Sequence, residues 1–328
     1  MRGAVSTAPA APDVVTIGET MALLVAEELG PARCGGRYGL SFGGAESNVA
    51  IGLSRLGHRA RWIGCVGADD FGAMILSQLR AEQVDVSRAR SVAGVPTALM
   101  FKQHRTADFS TVRYYRRALA GSHLGPDDVV AAAFAGARFV HLTGITPALS
   151  PGAAAAVGAA VRLAGQLGVA VSFDVNYRAA LWSVPEARAA LGDVVSAADL
   201  IFAGTDELEV LAPTRGGDPL AAAGEIAAAH PRSQLVVKQG AAGASAFVGG
   251  ERYDCAAYAV RAHDVVGAGD AFVAGYLSAL LDGQAPAQAL RRGCAAGAFV
   301  VGTHGDWEGS ASRAEIDALP TVEGVTLR

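Results

Sequence analysis

The sequence predicts an α/β fold: a mostly parallel central sheet with helices on both faces, carrying a small separate β-sheet as a lid. Three observations predict it. Short apolar strands alternate with helical stretches between residues 138 and 238, a rhythm that yields parallel strands joined by covering helices. Two β-rich stretches, at about 20–42 and 95–117, interrupt that rhythm as insertions would. A glycine-rich segment, Asp264-Val265-Val266-Gly267-Ala268-Gly269-Asp270, passes directly into a run that is apolar on nearly every side and so reads as a buried helix.

The elements follow in order. Residues 1–12 are rich in Ala and Pro without an apolar stretch, and are expected to be a disordered tail. A first buried strand falls at 13–19, and short edge strands are expected up to Phe42. Gly43-Gly44 opens a helix over 49–56, which Gly57 stops. One strand is expected at 61–66 and an amphipathic helix at 71–82. Residues 97–102 and 111–116 are two strands around a polar turn at 104–109, a hairpin of the kind that makes a lid. Strands then fall near 138–142, 169–174, 199–203 and 234–238, with helices near 151–167, 185–197 and 218–229. A second hairpin at 243–254 and two buried helices, near 268–282 and 286–301, complete the pattern, and residues 321–328 are expected to be a tail.

Composition narrows the function classes. The chain has 328 residues, 51% apolar and 18% charged, enough for a large core. The net charge is −4 with no basic stripe, which argues against nucleic acid as the main partner. No apolar run is long enough to span a bilayer. Four scattered cysteines without a CxxC pair suggest neither a zinc site nor a disulfide framework, and point to a reducing, cytoplasmic setting.

The chemistry concentrates at the ends of strands, where ligands sit in such sheets. Asp174, Asn176 and Arg178 follow one strand, Thr143 and Gly144 a second, Asp206 and Glu207 a third, and Lys238 ends a fourth. Gly267 and Gly269 let backbone amides approach a ligand, and the first turn of the following helix offers unpaired N–H groups to a phosphate. A carboxylate beside an anion site is repelled by it. Asp270 makes sense there if it takes a proton from a hydroxyl attacking a phosphate. Taken singly, each signal has an ordinary reading: Asp270 as a carboxylate favoured by the helix dipole, Lys238 as a solvated strand end, Arg291-Arg292 as a solvated face. His263 and His304 lack a third residue at metal-ligand spacing. The order of the signals, each at a strand end or helix start, is what favours a site.

Together these residues resemble the ribokinase-like (PfkB) family of carbohydrate kinases. The likeness rests on Gly43-Gly44 with Asn48, and on Asp264 through Asp270. Gly18-Glu19, Tyr114-Tyr115-Arg116, His141 through Ile145, Asp174 through Arg178 with Leu181-Trp182, and Gly305-Asp306 resemble the branch acting on 2-keto-3-deoxygluconate. The resemblance implies a ribokinase-like three-layer sandwich, one kinase domain over 13–320, with a lid that often mediates a dimer. It implies Asp270 as base, with the amides of Gly267, Ala268 and Gly269 as an anion hole. Gly44 and Asn48 would hold sugar hydroxyls, and Tyr114, Arg116, Arg178 and Asp306 would meet the keto-acid. Asn176, Lys238, Gly240 and Gly243 would line the ATP site, with Glu207 organising Mg²⁺ and its waters.

Three positions depart from the family. Met100 stands in the lid where a substrate-facing tyrosine is usual, Gly204 replaces an asparagine, and Cys294 replaces an adenine-side asparagine. Arginine binds carboxylates bidentately, so two arginines at the substrate favour an acidic sugar. Arg178 could face the transferring phosphate instead. A kinase for a neutral sugar and a catalytically silent sugar-binding protein are the alternatives. A Walker loop (GxxxxGK[ST]) is absent, and Gly18-Glu19-Thr20 after the first strand is no dinucleotide-binding GxGxxG.

Overall fold

The computed structural model describes residues 11–106, 109–213 and 217–319. The expected C-terminal tail, the N-terminal tail apart from Ala11 and Pro12, and residues 107–108 of the hairpin turn lie outside the described residues.

The strands, in chain order, are β1 (Val14–Ile17), β2 (Met21–Ala26), β3 (Tyr38–Gly43), β4 (Ala60–Ile63), β5 (Cys65–Gly67), β6 (Arg90–Val92) and β7 (Leu99–His104). They continue with β8 (Ser110–Tyr115), β9 (Phe139–Thr143), β10 (Ala170–Asp174), β11 (Leu200–Gly204), β12 (Gln234–Lys238), β13 (Ala244–Val248) and β14 (Glu251–Cys255). The helices are α1 (Ala45–Arg55), α2 (Asp70–Ala81), α3 (Ala131–Phe134), α4 (Pro151–Leu167) and α5 (Val184–Ala197). After them come α6 (Leu208–Leu211), α7 (Pro219–Ala229), α8 (Ala268–Leu281), α9 (Pro286–Val301) and α10 (Arg313–Ala318).

The central sheet runs β14-β13-β12-β11-β10-β9-β1-β4. It is parallel from β12 to β4, with the β13–β14 hairpin antiparallel at one edge. Its strands are apolar on both faces because helices cover both. Ile201 and Ala203 of β11 join α4, α5 and α7 in one core, while Leu200 and Phe202 join α1, α2, α8 and α9 in the other. This period of two produces the expected ribokinase-like three-layer α/β arrangement. Strand order reverses between β1 and β9, and the C-terminal ends of β1, β9, β10, β11 and β12 open on one side of the sheet. Ligands bind at such a switch point.

The lid is a separate sheet in the order β3-β2-β7-β8. Met21, Leu23, Ala98 and Met100 form its small inner core. Tyr38 packs on Phe101 with ring centroids 5.6 Å apart, and Leu40 and Tyr115 are exposed on the lid.

Two expectations are corrected. The strand expected at 61–66 is two strands, because Gly64 breaks it: a Cβ there would lie 2.2 Å from the Trp62 ring and 2.3 Å from the carbonyl oxygen of Gly18. Arg292 is no solvated residue. It is buried, and its guanidinium donates to Ser278 Oγ at 3.0 Å and Asp282 Oδ2 at 2.5 Å.

Candidate active site

A cavity of about 1180 Å³ lies between the strand ends, the lid and the start of α8. Its floor begins at Gly267, the residue before the first turn of α8, with φ +78°. A Cβ at Gly267 would lie 1.8 Å from the carbonyl oxygen of Asp306, so the close approach and the left-handed backbone both demand glycine. Ala268 N–H reaches the Val265 carbonyl at 3.4 Å. The N–H groups of Gly269 and Asp270 belong to the first turn and have no intrahelical acceptor. Gly269 faces the ammonium of Lys238: a Cβ on it would lie 3.6 Å from Nζ.

Asp270 is 9% exposed and accepts a 2.8 Å hydrogen bond from Asn48 Nδ2. Burial pushes its carboxyl up to about 7; the charge of Asp174 adds to this, while Asn48, Lys238 and Arg178 oppose it. A base poised near neutrality combines proton affinity with a usable ionised fraction. Asn48 reaches Asp270 because α1 starts hard against the β1–β2 connection: a Cβ on Gly44 would lie 2.2 Å from the carbonyl oxygen of Glu19. Asp306 is buried against Gly43 and Gly267. Burial raises its carboxyl to about 7, Lys102 opposing.

A charged wall stands beside α8. Lys238 Nζ donates to both oxygens of Asp174, at 2.8 and 2.7 Å. Burial disfavours the ammonium, but Asp174 and Glu207 more than offset this and its pKa is raised. Lys238 is therefore a half-buried ion-pair partner and not a solvated strand end. Glu207 accepts from the backbone N–H of Tyr177 at 2.9 Å and of Gly204 at 2.6 Å. Burial raises its pKa against the pull of Lys238. Asn176 next to it takes φ +39°, a left-handed conformation that asparagine tolerates better than most residues.

The lid supplies the opposite wall. Met100 is buried and stands across from Tyr114 in the β7–β8 register. The Arg116 guanidinium lies 5.7 Å from the centre of the Tyr114 ring. Arg116, expected to meet a keto-acid, is already ion-paired with buried Glu19. Burial raises the pKa of Glu19 and Arg116 opposes the rise. Both Glu19 oxygens and Arg116 Nε nevertheless lack an aligned hydrogen-bond partner. Glu46, wholly buried, accepts from Thr143 Oγ1 at 2.7 Å and Thr146 Oγ1 at 2.6 Å.

The cavity thus gathers Gly44, Asn48, Met100, Tyr114, Arg116, Asn176, Arg178, Glu207, Lys238, Gly267, Gly269, Asp270 and Asp306. It does not gather Ala268, Gly240, Gly243 or Cys294. Gly243 is a backbone requirement: its φ is +105° and a Cβ would lie 2.0 Å from the Cys255 carbonyl oxygen. Cys294 is buried in α9, its thiol against Cys255. Sequence reasoning passed over Glu46 and Lys102. The signal for Lys102 was present: strand alternation sets its charge on the inward face of the lid with Met100.

Among the described residues no cluster of three His, Cys, Asp or Glu could hold a metal ion. Glu207 and Asp206, both on the cavity wall, do fit Mg²⁺, which keeps several waters and leans on one or two carboxylates plus substrate phosphates. The glycine-lined floor at the start of α8 likewise fits a phosphate.

The chain is similar to known proteins over nearly its whole length. The pfkB family carbohydrate kinase pattern matches residues 11–312. A 2-dehydro-3-deoxygluconokinase of Bacillus subtilis is 35% identical over 320 residues, covering 95% of this chain and 96% of its own. One from Thermoproteus tenax is 38% identical over 311 residues, covering 93% of each. The crystal structure of a putative ribokinase II from E. coli, in complex with ATP and Mg²⁺, superposes with a TM-score of 0.85 at 26% identity, covering 93% of this chain and 98% of that one. With a match over nearly its whole length and a buried carboxylate at the glycine-lined helix start, the chain belongs to the pfkB family of carbohydrate kinases.

Proposed function

We propose that this kinase transfers the γ-phosphoryl group of ATP to the 6-hydroxyl of a 2-keto-3-deoxy sugar acid, 2-keto-3-deoxygluconate in the first instance. The observation that carries the reading is Asp270: a buried carboxylate, raised to about 7, held by Asn48 at the glycine-lined start of α8. The relatives' names supply the substrate class.

In this reading Asp270 accepts the proton of the sugar hydroxyl as its oxygen bonds to the γ-phosphorus. The bond from that phosphorus to the β–γ bridging oxygen breaks, and ADP leaves. The amides at Gly267, Ala268 and Gly269 receive charge on the transferring group, with those of Gly269 and Asp270 the least committed within the protein. Lys238, its charge fixed by Asp174, lies beside them. Mg²⁺ would neutralise phosphate charge, with Glu207 and Asp206 orienting its waters. Asn176, Gly240, Gly243 and Cys294 belong to the nucleotide side, the last three at a remove from the cavity. Gly44, Asn48 and Asp306 hold sugar hydroxyls, Met100 and Tyr114 cover the sugar, and Arg116 and Arg178 meet its carboxylate.

A neutral sugar is the second reading. It is favoured by the Arg116–Glu19 pair, which already neutralises one of the two arginines. The lid's exposed Leu40 and Tyr115 support a dimer formed through that sheet. Four free thiols support a cytoplasmic enzyme, read as one kinase domain over 13–320 with its two lid insertions. The experiment is a panel of 2-keto-3-deoxy acids and neutral ketoses with ADP detection, and phosphorus NMR of the product. Phosphorylation of an acid at its 6-position supports the proposal. A neutral ketose with the higher kcat/KM rejects it in favour of the second reading.

A further inference from the structure

The lid and the phosphoryl floor are joined by a buried charge pair. Lys102 lies on β7, two residues after Met100, and is 4% exposed. Its ammonium is ion-paired with Asp264, 162 residues away and the first residue of the glycine-rich segment. Asp264 in turn shapes that segment: its Oδ1 accepts the N–H of Val266 at 3.2 Å, just before Gly267. The backbone N–H groups of His263 and Asp264 are anchored on the Val301 carbonyl, at 2.8 and 3.4 Å. Lys102 also acts on the charge of Asp306, whose backbone lies against Gly267. A single ammonium therefore addresses both pieces of chain that shape the floor.

Packing alone gives no reason for a lysine here. The inner lid core is Met21, Leu23, Ala98 and Met100, with Val25 and Val112 beside it. Val25 and Val112 are the register partners of Lys102 on the two neighbouring strands. Taking an ammonium and a carboxylate out of water is costly, and apolar replacements of similar volume are often as stable or more so. What the pair supplies is a fixed relation between two elements.

We propose that Lys102 is a positioning residue: through Asp264 it holds the 264–267 segment in its phosphoryl-binding shape, so that seating of lid strand β7 and competence of the phosphoryl site are coupled. This rests on the reading of Asp270 and the glycine-lined floor given above. The coupling acts on turnover, because the pair lies apart from Tyr114, Arg116 and the Lys238–Asp174 wall, and on Asp306, the one sugar-side residue it does address, its two charges act in opposite senses and are lost together in a double variant.

The test compares Lys102→Met, Asp264→Asn, the double variant and Lys102→Arg in steady-state kinetics and thermal unfolding. A single variant leaves one buried charge without a partner, so the double variant, which leaves none, decides the matter. The expected result for the double variant is a Tm at or above that of the parent and a kcat lower by about 10- to 100-fold, as expected for a displacement of about 1 Å. Its KM for sugar and for ATP should stay within about threefold, which a merely loosened fold would not do. The double variant should lose no more than the worse single one, and Lys102→Arg should recover much of the turnover lost in Lys102→Met. A double variant with kcat within twofold of the parent, or single losses that multiply, overturns the proposal. Asp270→Asn in the same assay separates the two failures: if that variant turns over normally, the underlying reading of the site has failed; if it is inactive while the double variant is not, only the coupling has.

Discussion

Removing the Asn48 amide should move the pH profile of the enzyme in a direction and by an amount that the structure fixes. Asn48 Nδ2 donates to Asp270 at 2.8 Å and favours the ionised carboxylate against burial. A hydrogen bond to a charged group is worth about 1.5–3 kcal/mol, and about 1.4 kcal/mol corresponds to one pH unit. In Asn48→Ala the acid limb of kcat/KM should therefore move up by about one to two pH units. The parent base, with its carboxyl at about 7, is half ionised at pH 7. The variant's would be ionised to roughly 1–10%, so kcat/KM at pH 7 falls about five- to fifty-fold, and the deficit shrinks as pH rises. The assay is a coupled ADP measurement from pH 5.5 to 9.5 with subsaturating sugar. Contacts from Asn48 to the sugar would lower the plateau but leave the midpoint in place. A lowered plateau with an unmoved midpoint would refute the claim that Asn48 sets the base.

Stability should respond to Asp270 in the opposite sense to activity. A carboxyl at about 7 in the folded chain and near about 3.9 in the unfolded one makes the native state bind more protons between these values, so folding loses stability as pH rises from about 4 to 7. Asp270→Asn should thus be more stable than the parent at pH 8, by up to ~4 kcal/mol, with the gap closing near pH 4; equal Tm values at pH 8 would count against the buried, raised carboxyl. Gly267→Ala sets a Cβ 1.8 Å from the Asp306 carbonyl oxygen at φ +78°, and should cost more than about 2 kcal/mol of stability and lower kcat about a hundredfold, read by chemical denaturation and steady-state rates. Glu19→Gln removes the charge that holds Arg116, and should lower KM for a 2-keto-3-deoxy acid about tenfold while leaving KM for neutral ketoses unchanged. An unchanged KM for the acid would remove Arg116 from the carboxylate site.

Much of the fold was legible because its determinants are local. Parallel strands buried on both faces must be short apolar runs, and β9 to β12 stand within a residue or so of their expected places. The floor was legible too, since Gly267 has a backbone reason to be glycine: a left-handed φ and the Asp306 carbonyl against it. Pairing across the chain was not legible. Lys102 and Asp264, or Arg116 and Glu19, are charges whose partners are chosen by how the lid seats on the sheet, and no spacing encodes that. Gly64 could not be told from an ordinary strand residue until Trp62 and Gly18 were in place around it. Gly240, Gly243 and Cys294, which are absent from the cavity wall, were expected at the nucleotide from likeness alone. For Gly243 and Cys294 the structure shows a different local reason: a tight turn under β14 and a thiol packed on Cys255.

The most direct measurement is a single-turnover assay of Asp270→Asn, with sugar and ATP affinities measured separately by calorimetry. Binding of both should persist while the phosphoryl-transfer rate falls by about 10²- to 10⁴-fold. Transfer at a rate near that of the parent enzyme would contradict the assignment of Asp270 as the base.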